Sequence, residues 1–277
     1  VNAALGDSII RWAEAEDSVL MLTLIGSRTR PPHGPASADA GSDWDFQVVT
    51  ERPELFASRA WCDAVGLKPL AHTTRMGRLG SSRKVTAVFE SGSVDLVVLP
   101  ATQVTAVAAL VRSGQHVAQP AVLQALTDLS SVLQGGWRVL KGEALFGELY
   151  RFVATEVSPA RLSDAAVLDL AEGFVCDYVA TRVKLERGEL QAARRWLHDA
   201  LAEVNFQLLH ELRQREGRFS MPDARRLERW QDPRAASLDV GADHDVGSLK
   251  LAVERSASAL RELMGALVGD RWRWPLP

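Results

Sequence analysis

Apolar positions along the first 112 residues follow two rhythms. Leu5, Ile9, Trp12 and Ala13 fall at helical spacing with charges on the opposite face, which predicts an opening helix. Residues 19–25, VLMLTLI, are a short apolar run rich in strand formers and predict a buried strand ending at Gly26-Ser27-Arg28. Pro31, Pro32, Gly34, Pro35 and Gly41 mark 29–42 as a loop. DWDFQVVT at 43–50 predicts a second strand. Arg83 to Glu90 and Ser93 to Leu99 predict two more, joined as a hairpin at Ser91-Gly92, and Thr102 to Arg112 predicts a helix.

The texture changes after about residue 120, where strand-like runs vanish. Residues 164–216 carry a long helical pattern broken near Gly188, and 248–268 carry another. Ser158-Pro159 is the expected boundary, separating 1–157 from 158–277. Strands followed by helices predict an α+β fold or two separate domains.

Composition narrows the class without naming a chemistry. The chain has 277 residues, 47% of them apolar and 24% charged, which excludes disorder, collagen-like repeats and a disulfide-stapled mini-fold. Net charge is −3, with 14 basic and 16 acidic residues in 1–157 against 18 and 19 in 158–277. Neither half is a polycationic arm, which argues against a nucleic-acid partner. Cys62 and Cys176 have no metal-like or redox-like spacing and are expected to be reduced. Acids at 7, 14, 16 and 17 beside a lone Arg11 are the wrong flanks for an export signal. No apolar stretch reaches the ~18 residues of a membrane helix. The expected setting is the cytoplasm, with no membrane partner and a monomer or weak homodimer.

Three carboxylates stand out against that background. Asp43 and Asp45 are two apart on one predicted strand, so both project from one face. Asp95 sits within Val94, Leu96, Val97, Val98 and Leu99, where an unpaired buried charge is costly. A divalent metal would resolve that cost for all three. Two such ions about 3.5–4 Å apart serve phosphoryl and nucleotidyl transfer, and Mg²⁺ takes carboxylates plus substrate phosphates. Gly26-Ser27, directly after a strand, lets backbone N–H groups approach a phosphate, and Ser42 offers a hydroxyl. An isolated Asp-x-Asp is more often a solvated edge; the ordered set of strand, Gly-Ser, Asp-x-Asp and later Asp is rare by chance. The histidines at 33, 72, 116, 198, 210 and 244 show no metal-ligand spacing.

GSR at 26–28, SDWDF at 42–46 and VDLVVLP at 94–100 resemble the nucleotidyltransferase superfamily of DNA polymerase beta. Within it the chain is most similar to the aminoglycoside 6-adenylyltransferases, over about residues 8–110 and more weakly over 165–215, where RGEL at 187–190 carries the likeness. The resemblance implies an N-terminal nucleotidyltransferase domain, a mixed sheet flanked by helices, followed by an all-helical domain that binds the acceptor. It implies ATP as co-substrate, Mg²⁺ in a two-ion site, and transfer of AMP to a hydroxyl of an aminoglycoside-like acceptor. Asp43 and Asp45 match the paired metal ligands, Asp95 the third carboxylate as ligand or base, and Gly26, Ser27 and Arg28 the phosphate loop. The helical half departs from the family: Gly173 stands where an acid precedes an aromatic pair.

Gly173, Asp177, Thr181 and Lys184 share one predicted helical face, with Asp169 and Glu172 beside it. On the functional reading, Asp169, Glu172 and Asp177 attract a polycationic sugar and Lys184 meets ATP phosphates. Trp272 and Trp274 are assigned to packing. The alternatives from other classes are a toxin-like nucleotidyltransferase modifying RNA or protein, and a catalytically silent nucleotide-binding module.

Overall fold

The computed structural model describes residues 2–32, 34, 36–77, 82–222, 224–229, 232–238 and 240–277; His33 and Pro35 of the proline-rich loop lie outside the described residues. The chain divides into two compact units, Val1–Ala160 and Arg161–Pro277, three residues beyond the boundary expected at 157/158.

The first unit opens with α1 (Asn2–Ala15) and β1 (Val19–Ile25), followed by a 3₁₀ turn over Gly26–Thr29. After the loop come β2 (Trp44–Thr50), a short α2 (Ala60–Val65), β3 (Ala71–Met76), β4 (Arg83–Phe89) and β5 (Gly92–Pro100). Then follow α3 (Ala101–Arg112), α4 (Pro120–Leu133), β6 (Trp137–Lys141) and α5 (Glu143–Glu156). The six strands form one mixed sheet in the order β3-β4-β5-β2-β1-β6. The β2–β5 pair is parallel and the others are antiparallel.

Alternation along the strands sends side chains to two separate cores. Leu22, Leu24, Phe46, Val48, Val85, Leu96 and Val98 pack against Leu5, Ile9 and Ala13 of α1 and Trp61 of α2. Met21, Ile25, Val49 and Leu99 face Val104 of α3, Leu126 of α4 and Phe146, Tyr150 and Val153 of α5. A sheet covered on both faces needs apolar residues at consecutive positions, which is why β1 reads as an unbroken run.

Two expectations need correcting. Strands do not end before residue 120: β6 pairs antiparallel with β1, and Lys141 at its end donates from Nζ to Ala13 O at 2.8 Å and Glu16 O at 2.9 Å, closing the C-terminus of α1. The hairpin turn is Glu90-Ser91 rather than Ser91-Gly92, because Phe89 pairs with Gly92.

The second unit is helical: α6 (Asp164–Glu186), α7 (Leu190–Trp196), a π-helical turn over Leu197–Ala202, α8 (Glu203–Arg215) and α9 (Val246–Val268). Ser163 Oγ caps α6 by accepting from Ala166 N at 3.1 Å, and Asp245 caps α9 by accepting from Ser248 N at 2.9 Å. The break between α6 and α7 falls at Gly188, whose φ of +75° other residues adopt at a cost. Phe174, Leu197, Leu201, Leu208, Leu260 and Met264 are buried. The architecture is thus α+β: a mixed sheet with helices, then a helical C-terminal portion.

Candidate active site

Register brings the sequence-distant acids together. Because β1 and β2 are antiparallel, Ile25 pairs with Asp45, so the turn after β1 lies at the start of β2. Because β2 and β5 are parallel, Asp45 pairs with Asp95. Neighbouring strands lie about 4.8 Å apart, so two carboxylates stand side by side on the face that carries Val49 and Leu99 deeper in. Gly26 closes the approach from β1. Its φ is +78°, and a Cβ there would lie 2.8 Å from Asp45 Oδ2, so only glycine lets the chain pass this close to the carboxylate.

Asp43 falls one residue before β2, in line with Ser93 on β5, whose hydroxyl donates to Asp43 Oδ1. Arg28 fixes the same segment through its backbone, donating from Nε to Asp43 O at 2.9 Å and from Nη2 to Ser42 O at 2.5 Å. Its guanidinium lies 4.3 Å from the centroid of the Trp44 ring, which itself stacks on Phe46. Burial lowers the pKa of Arg28 from its ordinary value, against the opposing pull of Asp43, Asp45 and Asp39. Ser42 Oγ accepts from Asp39 N at 2.9 Å and donates to Asp39 Oδ1 at 3.0 Å, so its hydroxyl shapes the loop.

Asp95 is held from the other side, by β4. Lys84 Nζ lies 2.7 Å from Asp95 Oδ2, and Thr86 Oγ1 donates to Asp95 Oδ1 at 2.5 Å. Among the described residues, no three of His, Cys, Asp and Glu are gathered closely enough to hold a metal ion together. What the strands offer is a pair, Asp43 and Asp45, beside a third carboxylate engaged by an ammonium. A pair of hard oxygen donors fits Mg²⁺, which completes its shell with substrate phosphates and water. The Gly26 N–H, expected to approach a phosphate, instead donates to Gly136 O at 3.1 Å.

In the second unit, Asp169 and Glu172 are exposed on α6, and Asp177 and Lys184 are half-buried. Glu172 Oε1 accepts from Trp272 Nε1 at 3.0 Å, and Lys184 Nζ lies 4.1 Å from the centroid of Trp196. Thr181, expected on the same polar face, is fully buried, and its hydroxyl donates to Asp177 O at 2.7 Å. Trp272 and Trp274 meet edge to face, and Trp274 meets Tyr178 in the same way. These two tryptophans line a shallow cavity of ≈ 400 Å³ with Arg261 and Arg273.

No family model matches the chain, and no curated protein matches it. Among solved structures, an aminoglycoside 6-adenyltransferase from Bacillus subtilis is similar over 99% of this chain and 93% of its own, at 13% identity and a TM-score of 0.42. A nucleotidyltransferase-like protein from Exiguobacterium sibiricum 255-15 is similar over 98% of this chain and 77% of its own, at 13% identity and a TM-score of 0.34. At that identity and score, neither likeness bears on the chemistry of this chain.

Sequence reasoning missed Lys84, Thr86 and Ser93. Lys84 and Thr86 alternate with the buried Val85 and Ala87, but counting back from the expected turn at Ser91-Gly92 sets Val88 opposite Asp95; only the observed turn at Glu90-Ser91 sets Thr86 there.

Proposed function

We propose that this chain is a nucleotidyltransferase that moves AMP from ATP to a hydroxyl of an aminoglycoside-like small molecule, releasing pyrophosphate. The observation that carries the reading is the register pairing of Asp45 with Asp95, with Asp43 in line beside Ser93 and Gly26 packed closely against Asp45. Such a set is unfavourable for folding, since like charges directly opposite repel. It makes sense where positive charge is delivered with a substrate.

In the proposed reaction the acceptor oxygen bonds to the α-phosphorus as the bond from that phosphorus to the bridging oxygen breaks. Pyrophosphate leaves with that oxygen. Asp43 and Asp45 would hold Mg²⁺, which supplies charge stabilisation to the phosphoryl oxygens. The turn at Ser27 would receive the phosphates, since the Gly26 N–H is engaged with Gly136 O at 3.1 Å, and Arg28 keeps the segment carrying Asp43 in place through Ser42 O and Asp43 O. The acceptor's proton passes to a carboxylate of the set. For Asp95, whose two oxygens each already accept one contact, from Lys84 and Thr86, that role would use a remaining lone pair. Most of the work is positioning and charge neutralisation.

On this proposal the helical unit chooses the acceptor, with Asp169, Glu172 and Asp177 toward its amines and Lys184 toward the donor phosphates. The test is incubation with labelled ATP, Mg²⁺ and a panel of aminoglycosides, read as a mass increase of one adenylyl group on the drug. Label on RNA or protein instead would change the acceptor class. Nucleotide binding with no transfer to any acceptor would overturn catalysis.

A further inference from the structure

Lys84 stands on the acid-bearing face of the sheet, and no step of the proposed transfer uses its charge. It projects from β4 on the same face as Thr86, the register partner of Asp95, so its place is set by the strand and not by a loop. Its ammonium meets Asp95 Oδ2 at 2.7 Å while Thr86 takes Oδ1 at 2.5 Å, so both oxygens of this carboxylate are engaged from one side. The two ends of the pair differ in solvation. The Asp95 side chain is 18% exposed and that of Lys84 is 50% exposed. Exposed ion pairs contribute little, but here a half-exposed lysine reaches a sheltered acid that has a second acid, Asp45, as its register neighbour. A positive charge at that point offsets the repulsion built into the register.

We propose that Lys84 is a resident cation of the site: its ammonium supplies at Asp95 the positive charge a second divalent ion would bring, so the site takes one divalent ion per triphosphate, at Asp43 and Asp45. The inference rests on the metal-binding pair of the proposed function. A second ion shared between Asp45 and Asp95 would sit beside the ammonium, cation against cation, and would need an oxygen that Lys84 or Thr86 already holds. An ammonium is a point charge with three donors and no acceptor, so it neutralises a carboxylate without serving as a metal ligand.

The test counts ions on the full chain, with Mn²⁺ as probe and α,β-methylene-ATP as a triphosphate that cannot be transferred. Calorimetry gives the stoichiometry and paramagnetic resonance detects coupling between neighbouring Mn²⁺ ions. The wild type is expected to bind one ion per triphosphate with no coupling signal. Lys84→Met, which removes the charge and keeps an unbranched apolar stem, is expected to admit a second, coupled ion. Lys84→Arg is expected to stay at one. Two coupled ions in the wild type would overturn the proposal whether or not the variants fold, while leaving the metal-binding pair intact. A single ion in folded Lys84→Met would also overturn it. No Mn²⁺ uptake with the analogue in any protein would remove the metal site itself, and this inference with it.

Discussion

The candidate acids at the sheet, Asp43, Asp45 and Asp95, and those on α6, Asp169, Glu172 and Asp177, differ in how they are placed. Asp45 and Asp95 are fixed by strand register, flanked by Gly26, Lys84 and Thr86, with Arg28 and Ser93 bracing Asp43. Asp169 and Glu172 stand on an exposed helical surface. Asp45 and Asp95 are half-buried, so each unit of their charge alters a site strongly, while Asp43 is exposed and is placed by its hydrogen bonds. Charge on the exposed helical surface is screened by water and acts weakly. What separates a chemical site from a charged surface here is less the residue type than the number of neighbours that fix it.

The largest expected effect sharpens that contrast directly. Asp43→Asn and Asp45→Asn should each lower adenylyl transfer by about 10³-fold, roughly 4 kcal/mol of transition-state stabilisation. Circular dichroism should show the fold retained. Asp45→Asn removes one of two facing like charges, so its melting temperature should hold or rise. Asp169→Asn on the exposed helix should leave the chemical step alone. Wild-type turnover by either of the first two variants would end the assignment.

The second unit does hold sheltered charge, but elsewhere, and there it serves the fold. Asp232 is fully buried at its carboxylate, with Arg213 Nη1 at 2.5 Å, Arg234 Nε at 3.0 Å and Arg218 Nη1 at 3.3 Å. Arg213 is itself buried and also donates to Phe219 O at 2.9 and 2.8 Å. Arg213→Met should strand the Asp232 charge in part and cost about 3–5 kcal/mol in denaturant unfolding, as breaking one side of a buried pair does. Lys84→Met, at a half-exposed pair, should cost under about 1 kcal/mol by the same measurement. Equal losses would erase the distinction between the two settings.

Acid extends the comparison to pH. Burial would raise the pKa of Glu211, but Arg161, Arg215 and the Leu162 N–H outweigh it and hold the carboxyl below its usual range. Asp232 follows the same balance, with burial opposed by the Arg234 N–H and side chain and by Arg213. Glu216 is lowered chiefly by its hydrogen bonds from Arg234. A depressed carboxylate takes up its proton in the unfolded chain first. The stability it contributes is therefore complete above its unfolded value, about 4, and lost as pH falls through the lower folded value. The urea midpoint should fall steeply below about pH 4, and Glu211→Gln should flatten that fall. An unchanged acid limb in that variant would remove Glu211 from the account.

The sequence made the interior legible and the edges less so. β1 and β2 announce themselves as apolar runs buried on both faces, and β4 and β5 as alternations of buried positions with more exposed ones. β3 and β6 are the two edge strands, each paired on one side only. Ala71-His-Thr-Thr-Arg-Met76 has no apolar alternation, and Trp137–Lys141 is only partly buried, so neither carries a strong pattern. The site divides the same way. Asp95 is conspicuous as an acid in an apolar run, whereas its partner Lys84 looks like any exposed lysine until the hairpin register is counted out. On α6, helical spacing placed Asp177 and Thr181 on one face, but only packing reveals that Thr181 is buried.

The smallest expected effect tests whether the acids of α6, exposed Glu172 and half-buried Asp177, recognise anything. Glu172→Gln keeps an oxygen that can accept from the Trp272 indole, so the double variant Glu172→Gln/Asp177→Asn removes charge while sparing that contact. In water an ion pair at 4 Å is worth about 1 kcal/mol, less in salt, so each lost charge should weaken aminoglycoside binding by no more than about fivefold. Mg-ATP affinity should stay the same. Calorimetry with both ligands at low and physiological salt separates the cases, because a true charge contribution must shrink as salt rises. Loss of ATP binding with drug binding intact would reverse the roles given to this helix, making it a donor surface around Lys184. No change in either ligand would make α6 a solvated face. The shallow cavity at Trp272 and Trp274 would then be the next place to seek the acceptor, since two indoles flanked by Arg261 and Arg273 offer ring faces for a sugar but little attraction for its amines.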